Sequence, residues 1–270
     1  MTIIKTSILF FALLAFITVA SAQEIVMLST RPRVIQTYFL TAVPNNLQAV
    51  AVLFPGGGGF IQIRREEDKI KFESGNFLVR SRSEFIRRGA IAAIVDAPSD
   101  QQRNWGMTDE FRLSERHFAD ISAVVGDLRS RFSGLPIFLV GTSRGTISAA
   151  ALGARFGDQV AGVVLTSTVF RSSGPRSKEG GPGLSKFDFA TIKAPLLFAH
   201  HVNDQCGVTP YSDAARLAEK YPLISVAGGR PPESGPCDAL SAHGYLGREP
   251  ETVEQIVNWM LKKPHLSEIK

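Results

Sequence analysis

A serine with glycines two positions to either side stands where a predicted strand gives way to a predicted helix. Residues 141–145 read G-T-S-R-G with Ser143 at the centre, between the apolar segment 137–140 and the small-residue segment 147–151. A strand-turn-helix of this kind holds a serine in a sharp, strained turn with its hydroxyl exposed, and its glycines avoid collisions with neighbouring backbone. We therefore predict that Ser143 is a nucleophile; the alternative is an unreactive serine in an ordinary loop.

A serine hydroxyl is a weak nucleophile until a base accepts its proton and a third group orients that base. In this architecture the acid and then the histidine follow the serine along the chain. Asp204 lies just beyond the strand predicted at 195–199, and His243 lies in a glycine-containing loop between the last predicted strand and the last predicted helix. We predict that Asp204 orients His243, which accepts the proton of Ser143.

Other histidines and aspartates fit these roles less well. The remaining histidines lie in a helix before the nucleophile, at the end of a core strand or in the C-terminal tail: His117, His200, His201 and His265. Among the acids, Asp238 is too close to His243 in sequence and Asp188 precedes the strand. The histidines show no metal-ligand spacing, and neighbours in a strand such as His200 and His201 point to opposite faces. Neither a metal nor a cofactor is expected.

Acyl transfer also needs two backbone N–H groups that face the carbonyl oxygen as it gains charge. One is expected from Arg144, the residue after the nucleophile, and the other from the glycine run that follows the strand ending at Phe54. The sequence leaves Gly57, Gly58 and Gly59 open as the second donor. A phosphate-binding role for this run lacks the G-K-[S/T] continuation of such loops.

The chain contains two cysteines, each close to a predicted triad residue. Cys206 follows Asp204 by two positions and Cys237 precedes His243 by six. In an exported protein an even cysteine count indicates a disulfide, which here would join the acid loop to the histidine loop. The alternative is two unpaired buried thiols.

Short apolar segments alternate with amphipathic ones, which is typical of an α/β fold with a mostly parallel sheet covered by helices on both faces. The predicted core strands are 48–54, 90–95, 136–140, 160–166, 195–199 and 223–227. The predicted helices are 77–88, 114–132, 211–221 and 252–261. Segments 24–28 and 33–41 are expected to add antiparallel strands at one edge. Residues 23–270 are predicted to form a single domain without a large cap, because the irregular insertion 167–193 is too short for one.

The N-terminus has the layout of a secretory signal peptide. Lys5 precedes an apolar run over 8–20, and residues 20–22, A-S-A, supply the small side chains of a cleavage site. This run is shorter than the ~18–20 residues that a membrane-spanning helix needs, so we expect cleavage after Ala22 rather than an uncleaved anchor. Residues 1–22 are thus predicted to direct export, leaving a secreted or periplasmic chain without stable membrane insertion.

The formal net charge is +5, from 30 Lys and Arg against 25 Asp and Glu. Basic and acidic residues are interspersed, as in segment 64–69, and runs of five or six like charges do not occur. The lack of a basic stripe and of a matching motif argues against a nucleic-acid partner.

The G-T-S-R-G turn, the downstream Asp204 and His243, and the earlier glycine-rich loop together resemble the α/β-hydrolase superfamily, in particular serine esterases and lipases. The resemblance covers most of the mature chain and implies hydrolysis of a carboxylic ester, either a small molecule or an exposed polymer ester. Two alternatives stay open. The same triad could serve a peptidase, thioesterase or acyltransferase, or the fold could belong to a non-catalytic binding protein.

Overall fold

The computed structural model describes residues 23–44, 46–103, 105–173 and 181–270; the predicted signal peptide, 1–22, lies outside them. The strands are β1 (Glu24–Arg31), β2 (Val34–Leu40), β3 (Ala49–Phe54), β4 (Arg64–Glu66), β5 (Lys69–Lys71), β6 (Ala90–Val95), β7 (Ile137–Thr142), β8 (Gly162–Thr166), β9 (Leu196–His201), β10 (Leu223–Val226) and β11 (Glu268–Ile269). The helices are α1 (Phe77–Arg80), α2 (Arg82–Arg87), α3 (Asp109–Arg112), α4 (Glu115–Arg131), α5 (Gly145–Phe156), α6 (Tyr211–Leu217) and α7 (Glu249–Met260).

Within the described ranges, nine strands form one sheet in the order β1-β2-β6-β3-β7-β8-β9-β10-β11, while β4 and β5 form a separate hairpin. β1 and β2 pair antiparallel at one edge, and β2 joins β6 in the same way. All further neighbours are parallel. The predicted α/β fold with a mostly parallel sheet and an antiparallel edge is confirmed, and each predicted core strand is found within two residues of its predicted bounds.

The helices depart more from their predicted bounds. The segment predicted as one helix over 77–88 is two short helices, because Ser81 (φ −92°, ψ 6°) leaves helical geometry between them. Helix α7 begins at Glu249, ahead of the predicted residue 252, with a proline in its first turn, where the missing N–H does no harm. Helix α3, the β4–β5 hairpin and β11 were not predicted, because elements of two to four residues are too short to show a periodicity.

The two faces of the sheet bury separate hydrophobic clusters. Val52 belongs to the cluster that includes side chains of α4 and α5, whereas the neighbouring Leu53 belongs to the cluster of α1, α2 and α7. Because both faces are covered, the central strands are apolar at nearly every position. The described part of 167–193 adds turns and one 3-10 turn, Phe189–Thr191, so no large cap domain is built from it. None of the helices in the described ranges has the length and hydropathy of a bilayer span.

The parallel strands bring the predicted site residues to one edge of the sheet. The glycine run follows β3, Ser143 follows β7 and Asp204 follows β9, and these strands run parallel within the sheet. In open α/β sheets, ligands bind outside the carboxyl ends of the strands.

The start of α5 lies directly against the end of β3. A Cβ added to Gly145 would be 2.0 Å from the carbonyl oxygen of Phe54. We expect Gly145→Ala to lower the free energy of unfolding by on the order of 3 kcal/mol, since backbone must move to admit the methyl group. Urea unfolding measures the change.

Gly126→Ala is the matched control for this substitution. Gly126 lies exposed in α4 and its added Cβ would have no neighbour within 4 Å, so alanine should stabilise the helix by up to about 1 kcal/mol. Equal effects of the two substitutions would contradict the close approach of α5 to β3.

Candidate active site

Ser143 occupies a tight turn between β7 and α5. Its φ is 51°, a left-handed conformation that residues other than glycine rarely adopt. The Ser143 N–H donates to the Thr166 carbonyl at 3.0 Å, and the Ser143 carbonyl accepts from the Thr146 N–H at 2.9 Å. A Cβ on Gly141 would lie 2.5 Å from the carbonyl oxygen of Gly145, so this turn requires glycine. Strained backbone of this kind is typical of functional sites.

Asp204 and His243 come together although 39 positions separate them. His243 Nδ1 lies 3.0 Å from Asp204 Oδ2, and the Asp204 side chain is fully buried. The second carboxylate oxygen accepts the Cys206 N–H at 2.9 Å. Thr209 Oγ1 donates to Oδ2 at 2.8 Å and lies 3.2 Å from Nδ1. With a carboxylate oxygen as the acceptor, Nδ1 is the donor in this contact, and Nε2 is the ring nitrogen that takes no part in it.

Ser143 and His243 line the same cavity, whose volume is about 450 Å³. His243 Nε2 is buried and makes no hydrogen bond to any described residue. The strained serine and the histidine with the unbonded Nε2 are thus residues of one cavity. This arrangement supplies a nucleophile, a base and a group that orients the base.

The cavity also distinguishes between the candidate oxyanion donors. Gly57 and Arg144 line it, whereas Gly58 and Gly59 do not. The Gly59 N–H donates to the Gly56 carbonyl at 3.1 Å and is thus committed within the loop. The structure therefore favours Gly57, together with Arg144, over the other two glycines as the oxyanion donors.

Arg112, a residue that the sequence did not single out, links the glycine loop to helix α5. Its guanidinium is buried and donates to the Gly57 carbonyl and to Ser148 Oγ, both at 2.8 Å. Ser148 belongs to α5 and in turn lies 3.0 Å from His117 Nε2. Arg112 thereby fixes the peptide that follows Gly57 relative to the helix that begins after the nucleophile.

A buried ion pair ties the insertion after β8 to the turn that contains Ser143. The Arg144 guanidinium pairs with Asp109, and both side chains are buried. The other oxygen of Asp109 accepts the Gly183 N–H at 3.0 Å. The side chain of Arg144 is therefore engaged in an ion pair, and the residue also belongs to the lining of the cavity.

Comparison with known proteins identifies this architecture. Residues 105–223 match the family model described as serine aminopeptidase, S33. Est1E from Butyrivibrio proteoclasticus is 14% identical, with 90% of this chain and 97% of that chain covered and a TM-score of 0.55. A serine hydrolase without a lid from Xanthomonas campestris is 10% identical, with 90% and 94% covered and a TM-score of 0.56. A soluble variant of monoglyceride lipase from Saccharomyces cerevisiae is 11% identical, with 93% and 98% covered and a TM-score of 0.60.

These likenesses extend over nearly the whole length of each chain. The chain has the α/β-hydrolase fold. At identities this low the solved structures establish the fold alone. The sequences of curated proteins give no match.

The loop that carries His243 rests on buried hydroxyl groups. Ser167 Oγ donates to the His243 carbonyl at 2.8 Å. Tyr245 OH donates to the Ala199 carbonyl at 2.6 Å and accepts the Ser167 N–H at 3.0 Å. Burial raises the pKa of Tyr245 well above its ordinary value, which keeps the phenol neutral and able to donate. The sequence did not single out Ser167 or Tyr245, because neither belongs to a local motif and their partners lie far away in the chain.

Cys206 and Cys237 form the predicted disulfide. Both residues line the cavity that contains Ser143 and His243. The bridge joins the loop of Asp204 to the loop of His243 and forms part of the wall of the candidate site.

The other histidines of the sheet and helices have structural partners. Burial lowers the pKa of both His117 and His200 to about 3, and His200 Nε2 accepts the Thr168 N–H at 2.8 Å. His201 lies 2.9 Å from the Gly228 carbonyl. Among the described residues, no group of His, Cys, Asp and Glu is arranged to hold a metal ion.

The disulfide yields a prediction about turnover. Its loop closure spans 31 residues, which the entropy model equates with about 3–4 kcal/mol of stability. Under reducing conditions mild enough to preserve the fold, we expect the kcat of any Ser143-dependent reaction to fall, because the loops of Asp204 and His243 lose their covalent link. Activity is measured beside circular dichroism. Unchanged turnover in fully reduced, folded protein would show that the bridge contributes stability alone.

The buried neutral histidines yield a prediction about pH. The pKa of His117 and of His200 drops from 6.5 to about 3 on folding, so the unfolded chain binds protons that the native protein does not. Their neutral burial therefore reduces stability as pH falls from 6.5 towards 3, by roughly 1.4 kcal/mol per pH unit for each histidine.

His117→Gln removes one of these titrations while an amide oxygen can still accept a hydrogen bond from Ser148. The free energy of unfolding is measured with urea between about pH 6 and pH 4. It should fall less steeply with decreasing pH for the variant than for wild type, because one proton fewer is bound on unfolding. Parallel pH profiles for variant and wild type would contradict the burial of a neutral His117.

Proposed function

We propose that this chain is an exported serine hydrolase that cleaves carboxylic esters through Ser143, His243 and Asp204. One observation carries the proposal. A serine with a strained backbone shares a cavity with an imidazole whose Nδ1 is bonded to a buried carboxylate and whose Nε2 is unbonded.

The mechanism follows from these contacts. His243 Nε2 accepts the Ser143 hydroxyl proton while Oγ forms a bond to the ester carbonyl carbon, and the carbonyl π electrons move to oxygen. Asp204 stabilises the imidazolium without taking its proton. The backbone N–H groups of Arg144 and Gly57 stabilise the oxyanion.

The intermediate then collapses to the acyl-enzyme. The C–O bond to the alcohol breaks, and His243 returns its proton to the leaving oxygen. Water attacks the acyl carbon with His243 again as the base, and the acid leaves as Ser143 regains its proton. No metal or cofactor takes part in this cycle.

The cavity suits a small ester or an exposed ester group of a polymer. Its walls combine apolar side chains, including Phe77, Val169 and Val208, with polar ones, including Ser74 and Asn76. The similar Est1E has been solved with ferulic acid bound, and the similar monoglyceride lipase variant with a substrate analogue. These ligands support carboxylic esters as the substrate class of this chain.

Export is the second part of the proposal. Residues 1–22 have the layout of a signal peptide, and the Cys206–Cys237 disulfide suits an oxidising compartment. These two features support our proposal that the protein acts in the periplasm or the medium, with no nucleic-acid partner and no stable membrane insertion after cleavage.

A peptidase is the second candidate, because residues 105–223 match the serine aminopeptidase family model. Thioesterase and acyltransferase chemistry would use the same triad. A panel of p-nitrophenyl esters, acyl thioesters and aminoacyl anilides, assayed with and without an acceptor alcohol, separates these reactions. A non-catalytic binding protein would turn over none of them.

The proposal predicts a covalent adduct with a fluorophosphonate probe. Intact mass of the exported wild-type protein should show a chain that begins at Gln23 and gains one phosphonyl group. Ser143→Ala should gain none and lose more than about 10⁴-fold in kcat. Folded wild type that stays unlabelled would move the assignment to a binding protein, and a mass that includes residues 1–22 would contradict export.

A further inference from the structure

Asn76 stands at the start of α1, on the wall of the cavity that contains Ser143. Its Oδ1 accepts the Leu78 N–H at 3.2 Å, which caps the helix. Because only the oxygen of an amide can accept this bond, the contact defines which way the amide group is turned. The cap leaves the Nδ2 group as the part of the side chain that is free to donate.

The Nδ2 group of Asn76 lies beside the nucleophile. A Cβ added to Gly56 would be 3.1 Å from Asn76 Nδ2 and 2.9 Å from Ser143 Cβ, so both atoms border the same point. Gly56 immediately precedes Gly57, the favoured oxyanion donor. Within the described residues, Nδ2 has no hydrogen-bond acceptor. A fixed amide donor thus stands unused at the side of the cavity where the oxyanion is expected.

The support around Asn76 is rigid. Its backbone N–H donates to Ser74 Oγ at 3.2 Å. Further along α1, Arg80 donates to the Gly244 carbonyl and forms an ion pair with Glu249 at 3.0 Å. The ring of Phe77 packs on Tyr245, with ring centroids 4.6 Å apart. These contacts join α1 to the histidine loop, so Asn76 keeps its position relative to His243.

We propose that Asn76 Nδ2 donates a hydrogen bond to the substrate carbonyl oxygen as that oxygen becomes an oxyanion. It acts as a third donor beside the backbone N–H groups of Arg144 and Gly57. The inference rests on the proposed serine-hydrolase function. The amide transfers no proton. Its Nδ2 hydrogen bond stabilises the negative charge that appears on the carbonyl oxygen when Ser143 Oγ adds to carbon, and this charge disappears when the carbonyl re-forms.

A donor that is already oriented stabilises the transition state more than the substrate, because the charge exists only in the former. The removal of one such donor lowers kcat by about 10²–10³-fold. A side chain that merely shaped the pocket would change KM instead. The ratio of these two effects therefore separates a catalytic contact from a structural one.

Asn76→Asp is the decisive variant, because it keeps the helix cap and the shape while it replaces the donor with an acceptor. Asn76→Ser keeps a capping oxygen and shortens the side chain. Both residues cap helices as well as asparagine, so thermal unfolding should match wild type. With p-nitrophenyl butyrate as substrate, we expect kcat to fall by about 10²–10³-fold in either variant, with KM changed by less than about 3-fold.

Asn46→Asp is the control for replacing an amide with a carboxylate. Asn46 is exposed in the loop that enters β3, at the end of the strand opposite to the candidate site. Its kcat should equal that of wild type. Wild-type labelling by the fluorophosphonate is measured in the same series. If the fluorophosphonate labels wild type and Asn76→Asp retains the wild-type kcat, the role of Asn76 is refuted while the hydrolase assignment stands. If wild type fails to label, the hydrolase assignment itself has failed.

Discussion

The approach of Gly145 to the Phe54 carbonyl sets the spacing between the nucleophile turn and the glycine loop. Strands β3 and β7 are paired so that Phe54 lies beside Gly141, which brings both strand ends to one level. The missing side chain at Gly145 then lets the loop after β3 pass over the turn at backbone contact distance. A bulkier residue would push Gly56 away from Ser143 and widen the space between them. The remaining contacts of the site operate within this spacing.

Buried polar groups hold the loops around that contact. Arg112 binds the glycine loop, Asp109 joins Arg144 to the insertion, and Tyr245 joins the histidine loop to the sheet. A polar group buried without a partner would destabilise the protein by several kcal/mol. Each loop is therefore held in the one arrangement that satisfies these groups. Donors fixed in this way need no reorganisation when charge develops on a substrate.

Patterns within single segments explain what could be predicted from the sequence. Apolar runs located the core strands, and the chain order of the superfamily pointed to Asp204 and His243, which the structure brings into hydrogen-bond contact. Thr209 and Arg112 act through contacts with residues far away in the chain, and no local pattern marks such contacts. The glycines of the run are chemically identical, so only the cavity and the Gly59–Gly56 bond distinguish Gly57.

The histidine loop is attached on three sides. The disulfide joins it to the acid loop, Arg80 joins it to α1 through the Gly244 carbonyl, and Ser167 joins it to the end of β8 through the His243 carbonyl. None of these contacts uses His243 Nε2. The ring is therefore held in the cavity that Ser143 also lines, while Nε2 makes no hydrogen bond to a described residue. A base held by its neighbours in this way remains ready to accept a proton, which a base held by its own reactive nitrogen would not be.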